Sequence, residues 1–132
     1  MTTEIHRLLR FNTWAVVGLS NNQARAAWDV ARFLQSHGKR VVPVHPSSPF
    51  VHGEQGYATV AEIPFPIDIA EFFVRSWLVG PLVDEALAIG VKGIWLQVGV
   101  VDDLAAERAR AAGVDVVMDT CPKLEWAASG PR

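Results

Sequence analysis

The sequence predicts a Rossmann-like α/β fold, a doubly wound, five-stranded parallel sheet with helices on both faces. Three observations lead there. A helix-like segment, a glycine and an apolar run recur in that order, as RFLQSHGKRVVPV, EALAIGVKGIWLQ and RARAAGVDVVMD. The apolar runs Val41–Val44, Ile94–Val98 and Val114–Met118 are nearly continuous, as in strands buried on both faces. Each intervening glycine, Gly38, Gly90 or Gly113, stands where a helix ends in a left-handed residue, a conformation glycine adopts without steric cost.

In chain order, the first strand is predicted at Trp14–Gly18. It leads through Ser20-Asn21-Asn22 into a helix whose Ala27, Val30, Ala31 and Leu34 fall at i, i+3, i+4 and i+7, one apolar stripe. The second strand is Arg40–Val44. Pro46–Pro66, with four prolines, is a long irregular connection. The third strand, Ile67–Phe73, precedes a helix with Val79, Leu82, Val83 and Ala86 on one face and Ser76 as its N-cap. After a fourth strand, Gly93–Val98, an alanine-rich helix capped by Asp102 or Asp103 runs to Ala112. The fifth strand is Val114–Met118, and a short helix around Pro122–Ala127 closes the chain. Right-handed crossovers give the strand order 3-2-1-4-5 or a close relative.

Composition fits one domain spanning residues 1–132. Hydrophobic residues make up 50% and charged residues 20% of 132 positions, a globular balance. Twelve basic against fourteen acidic residues leave a charge of -2, which argues against nonspecific nucleic-acid binding. The single cysteine, Cys121, excludes an internal disulfide and fits a reducing compartment. MTTEIHRLLRF lacks the pattern of a signal peptide, and the apolar run near Gly93–Val101 is too short to span a bilayer. The expectation is a soluble, cytoplasmic protein.

Ligands of such sheets bind at the carboxyl ends of the strands, where strand order reverses. That places the default binding loop at Gly18–Arg25. Gly18 permits a sharp turn or a close phosphate approach. Ser20 and Asn21 either cap the helix or donate to phosphate oxygens, and the helix N-terminus attracts anions. Arg25 either adds a charge-assisted contact or points into water. The run GLSNNQ is not the dinucleotide fingerprint G-x-G-x-x-G, and the second strand ends in Val44-His45-Pro46 rather than an acidic residue. The pattern G-x-x-x-x-G-K-[ST] of a P-loop is absent as well.

The run VVGLSNNQARAAWDVARFLQSHGKRVVPVHP resembles the opening of the small stand-alone CoA-binding proteins, relatives of the CoA-binding domain of the succinyl-CoA synthetase alpha subunit. The resemblance continues through GEQGYATVAEIP, IDIAEFFVRS, VDEALAIGVKGIWLQVGVV, ERARAAGVDVVMD and TCPKLEW. It implies a Rossmann-type domain that binds coenzyme A and carries no catalytic domain. By motif, Gly18, Leu19 and Ser20 would form the loop against the pyrophosphate, with Asn21 beside them and Arg25 supplying charge. Val44, His45 and Pro46 would flank the adenosine end, and Phe73, Val74 and Arg75 would line the next loop. Gln97 and Gly99 would face the pantetheine arm or its exit. The chain departs from the family at Ala26 and Ala27, where proline and serine are common. It departs again at His45, often asparagine, and at Val74, often a second arginine. One charge fewer beside a polyanion weakens binding by about 1 kcal/mol.

The resemblance implies a sensor, a carrier or a subunit working with a protein partner or a second copy. Two other readings stand beside it: an enzyme acting on an acyl-CoA or other nucleotide thioester, and a domain devoted to protein contact. The four histidines, His6, His37, His45 and His52, show no metal-ligand spacing. His45, His52 and Glu54 form either an acid–base group at the mouth of the site or the ordering contacts of a loop. Cys121 is either a small semi-buried residue or a thiol able to form a mixed disulfide with CoA. Trp28 and Trp77, near helix starts, are packing residues or stacking partners for adenine.

Overall fold

Strands of near-continuous apolar character bury both faces, and here they do so in one sheet. In the computed structural model, residues 2–129 are described. The chain begins with α1 (Thr2–Leu9), β1 (Thr13–Val17), α2 (Ala26–Ser36) and β2 (Arg40–Val44). A small hairpin, β3 (Phe50–Val51) and β4 (Glu54–Gln55), and a 3-10 turn at Val60–Glu62 come next. Then follow β5 (Ile69–Phe72), α3 (Ser76–Ala88), β6 (Gly93–Leu96), α4 (Asp103–Ala111), β7 (Asp115–Val117) and α5 (Pro122–Ser129). The five longer strands pair in parallel in the order β2-β1-β5-β6-β7.

Counted along the sheet alone, that order is 2-1-3-4-5, a close relative of the expected 3-2-1-4-5. The difference has a physical cause in Pro43. Val44 turns its carbonyl toward β1 and accepts from the Gly18 N–H at 2.8 Å. Pro43 faces the opposite way, and its carbonyl accepts from the Tyr57 N–H at 3.0 Å. Proline has no N–H to give a neighbouring strand, so it belongs on an edge. The order 3-2-1-4-5 would bury β2 between two strands. The chain instead closes the β2 edge with Tyr57, which bridges Val44, and lays β5 along the other side of β1.

Side chains alternate across the sheet with period two. Ala15, Val17, Ala70, Phe72, Ile94 and Leu96 pack beneath α3 and α4. Trp14, Val16, Ile69, Trp95 and Val117 pack against α1, α2 and Cys121. Trp14 and Trp95, both wholly buried, meet at 5.6 Å between ring centroids. Gly38, Gly90 and Gly113 take the expected left-handed conformation, with φ of 86°, 82° and 81°.

Two local expectations change. Ser76 is not the cap of α3. Arg75 occupies that position without a side-chain bond, while Ser76 Oγ donates to Gly99 O at 3.2 Å and accepts from Val101 N at 2.9 Å. The Pro46–Pro66 connection is not free of structure either, since its hairpin docks on α2. Asn21 Nδ2 donates to Phe50 O at 2.9 Å, Gln35 Nε2 to His52 O at 3.0 Å, and His52 Nε2 to Trp28 O at 2.8 Å.

Candidate functional site

The carboxyl ends of β1, β2 and β5 meet beneath the first turns of α2 and α3, and a cleft of about 390 Å³ opens there. Its floor is apolar, formed by Val17, Val44 and Phe72 from the strands. Ala58, Thr59 and Val60 form one wall, and Leu78, Leu82 and Glu85 of α3 another. Arg25, His45 and Arg75 bring polar groups to it. The size and the lining, apolar with a few polar groups, suit a small-molecule site.

Gly18 makes the junction possible. Its φ is 100°, and a Cβ placed there would lie 2.5 Å from the Phe73 carbonyl oxygen. The turn after β1 can therefore press against the turn after β5 only without a side chain. Ser20 and Asn22 serve the loop rather than the helix. Ser20 Oγ accepts from Asn22 N at 3.2 Å, and Asn22 Oδ1 accepts from Ala24 N at 3.0 Å. That loop geometry hands the cap position of α2 to Arg25, which makes no side-chain cap bond. Both helices that start at the cleft, α2 and α3, thus begin uncapped, each with an arginine at the cap position. By contrast α4, which starts elsewhere, is capped by Asp102 Oδ1 accepting from Ala105 N at 3.0 Å. Unclaimed N–H groups and the dipole make such helix starts anion sites.

Of the residues expected from sequence, the cleft brings together Gly18, Arg25, Val44, His45, Pro46, Phe73, Val74 and Arg75. The others lie outside its lining. Leu19 is 0% exposed, its side chain in the core. Ser20 and Asn21 are held in the loop and against the hairpin, as described. Gln97 is buried, and its Oε1 has no hydrogen-bond partner. Gly99 donates its N–H to Asp119 Oδ1 at 2.7 Å. Sequence reasoning did not name Val17 and Phe72, at the ends of expected strands, nor Ala58, Thr59, Val60, Leu78, Leu82 and Glu85. Of the last six, only Leu82 carried a signal, as part of the α3 stripe.

The histidines do not assemble an acid–base group. His45 Nδ1 accepts from Ser47 N at 3.2 Å, which leaves Nε2 as its free nitrogen. His52 stacks on Trp28 at 4.7 Å and orders the hairpin, while Glu54 pairs with Arg40 at 3.5 Å. Neither lines the cleft, and neither Trp28 nor Trp77 does. Among the described residues, no group of three or more His, Cys, Asp or Glu side chains could hold a metal ion. No helix among them is long and apolar enough to cross a membrane.

One buried acid lies on the opposite face of the sheet from the cleft. Glu71, in the middle of β5, is 0% exposed, and neither carboxyl oxygen has a hydrogen-bond partner. Burial pushes its pKa well above the usual carboxylate range, and the neighbouring Cys121 adds to the rise. Burial thus favours the neutral, protonated form of Glu71 in the folded protein. Cys121, 8% exposed, is a core residue at the foot of α5.

A family model described as a CoA binding domain matches residues 12–127. The chain belongs to the CoA binding domain family. A Bacillus subtilis (strain 168) relative, the uncharacterized protein YneT, is 33% identical over 125 residues, covering 94% of this chain and 93% of that one. A solved structure, a hypothetical protein from Pyrococcus horikoshii OT3, is 31% identical with a TM-score of 0.92, covering 97% of this chain and 91% of that one. The alpha subunit of an ADP-forming acetate–CoA ligase II from Pyrococcus furiosus is 33% identical over 81 residues, 61% of this chain but 18% of that subunit. The matched stretch thus makes up nearly all of the first two relatives and under a fifth of the ligase subunit.

Proposed function

We propose that the cleft binds coenzyme A or an acyl-CoA, and that the chain carries out no chemistry of its own. One observation carries this reading: two helices begin uncapped at the same apolar cleft, each with an arginine at its cap position. A pyrophosphate answers both helix dipoles and both guanidinium groups at once. The apolar floor and the Ala58–Val60 wall suit the adenosine, with His45 and Pro46 beside it. Gln97 and Gly99, past the end of β6 and outside the cleft lining, would face the pantetheine arm or its exit. The family match supports CoA over other nucleotides, and so does the absence of an acidic residue after β2, where a dinucleotide's ribose would need one.

The chain would then act as one module, a CoA sensor, a carrier or a subunit that presents CoA to a partner. The ligase relative, in which the matching stretch is a minor part of a longer subunit, favours the partner role. Calorimetric titration with CoA, acetyl-CoA, NAD and ATP in parallel tests the reading. Selective binding of the CoA species, at micromolar concentration or below, is expected. Equal binding of all four, or of none, would refute it.

A further inference from the structure

The groove between α3 and α4 ends in bare apolar surface. Ser76 Oγ, in the first turn of α3, donates to Gly99 O at 3.2 Å and accepts from Val101 N at 2.9 Å. One turn on, a Cβ at Gly80 would lie 3.1 Å from Asp102 Oδ2 and 3.7 Å from Arg108 Nη2. A turn beyond that, Asp84 Oδ1 accepts from Arg108 Nε at 2.9 Å. These contacts advance along both elements together, so the two helices run side by side with their first turns at the same end. Trp77 stands at i−3 from Gly80 and Leu104 at i−4 from Arg108, so each belongs to the row that borders the groove. The turn after β6, with Val98 and Val101, lies against the same end.

Trp77 is 75% exposed, Leu104 68%, Val98 57% and Val101 42%. At about 200 Å² for a large apolar residue, these four leave on the order of 500 Å² of apolar surface in one place. Of the other large exposed apolar residues, Leu78 faces the cleft, and Phe50, Ile89 and Leu124 stand on β3, at the end of α3 and on α5. The ionic groups bordering the groove are already engaged, Asp102 by Ala105 N and Arg108 by Asp84, so covering it strands neither of them. A standard interface buries about 800 Å² on each partner, and about 65% of a homodimer's is apolar. The patch supplies that apolar share. A two-fold dimer uses the same patch on both chains, and a charge of -2 sets little repulsion against pairing identical copies. We infer that this patch is the interface of a two-fold dimer, each copy covering Trp77, Val98, Val101 and Leu104 of the other. Arg75, which lines the cleft, lies over the Trp77 ring at 5.4 Å, so the interface adjoins the mouth of the cleft. The inference holds whether or not that cleft binds CoA.

Sedimentation equilibrium of the purified protein, between about 1 and about 100 μM, tests the inference. Native protein is expected at twice the mass of the chain. Leu104→Glu should weaken self-association about tenfold or more, because it sets a carboxylate in each half of a desolvated interface. Glutamate suits the first turn of a helix, and Leu104 is exposed there, so circular dichroism should show the native fold. Trp77→Ala should weaken self-association to a similar extent, since a central tryptophan carries much of an interface. Leu124→Glu, a comparable change at an exposed position on α5, should leave the dimer intact. A monomer at every concentration would overturn the inference and leave the patch to a different protein. A dimer that persists in both Leu104→Glu and Trp77→Ala, or that Leu124→Glu dissolves, would place the interface elsewhere and overturn it as well.

Discussion

Glu71→Gln should remove a pH dependence of stability that native protein carries above the ordinary carboxylate pKa. Glu71 is wholly buried with both carboxyl oxygens unpartnered, and its folded pKa lies well above the ordinary 4.5. Below that ordinary value the group is protonated whether the chain is folded or unfolded, and it sets no slope. Above it the unfolded chain releases the proton and the folded chain keeps it. The folded state then holds more protons, and stability falls as pH rises toward the folded pKa, by up to about 1.4 kcal/mol per pH unit. Glutamine fills the same space without ionising, so this slope disappears. The other groups with shifted pKa values act at the acid and alkaline extremes. Arg7 holds the Asp115 carboxyl below its usual range, which matters in acid, and burial lowers Lys39, which matters in base. Subtracting the variant's curve from the native one cancels both. The assay is urea unfolding of both proteins at intervals between about pH 5 and about pH 8. The variant should gain on native protein steadily as pH rises. A difference between the two that stays constant across that range would refute the assignment of Glu71 as a buried neutral acid.

Three further outcomes follow from the same geometry. Gly18→Ala should destabilise by about 2 kcal/mol or more, since it combines a left-handed φ with a Cβ 2.5 Å from the Phe73 carbonyl oxygen; an unchanged melting temperature would contradict the packing of the two turns. Arg25→Ala should weaken CoA binding about tenfold with little change in melting temperature, because Arg25 is exposed at an uncapped helix start; undiminished affinity would remove it from the site. Cys121, 8% exposed beside Glu71, should resist thiol reagents and CoA disulfide in the native state and react once urea unfolds the chain. A CoA adduct in the intact mass of native protein would restore the mixed-disulfide reading.

The fold was largely legible because its signals are local. Apolar runs, helical stripes and left-handed glycines each act within a few residues, and they placed all five sheet strands to within two residues at either end. Strand order is a different kind of fact, since it depends on which edges meet. Even so, Pro43 carried the answer: a proline inside VVPV marks an edge strand, and weighing it would have put the third strand on the far side of β1. Ser76 misled for a related reason. Its hydroxyl had a choice between capping its own helix and joining the β6 loop to α3, and only the three-dimensional neighbourhood decides such a choice.

The site divides along the same line. Cleft-lining residues placed by the turn after a strand were expected from the sequence: Gly18 and Arg25 after β1, His45 and Pro46 after β2, Phe73 to Arg75 after β5. Residues that reach the cleft from a helix face or through the irregular connection were not. The α3 stripe of Val79, Val83 and Ala86 points into the core, and the adjacent row of Leu78, Leu82 and Glu85 faces the cleft. A helical repeat shows which residues share a row, but not where the sheet beneath it ends. Ala58 to Val60 depend on Tyr57 closing the β2 edge, a pairing that no local pattern announces. One departure from local rules bears on the proposed function. The small polar residues that could have capped α2 are spent within their own loop, and both helices that start at the cleft begin with an arginine, a poor cap. Each missing cap forgoes about 1 kcal/mol of helix stability. A chain that caps α4 with Asp102 shows no general neglect of capping. If CoA phosphates take up the N–H groups of these two uncapped helices, as proposed, ligand binding should stabilise the fold through the first turns of α2 and α3, and hydrogen exchange there should slow on addition of CoA. Unchanged exchange in those turns at saturating CoA would place the phosphates elsewhere.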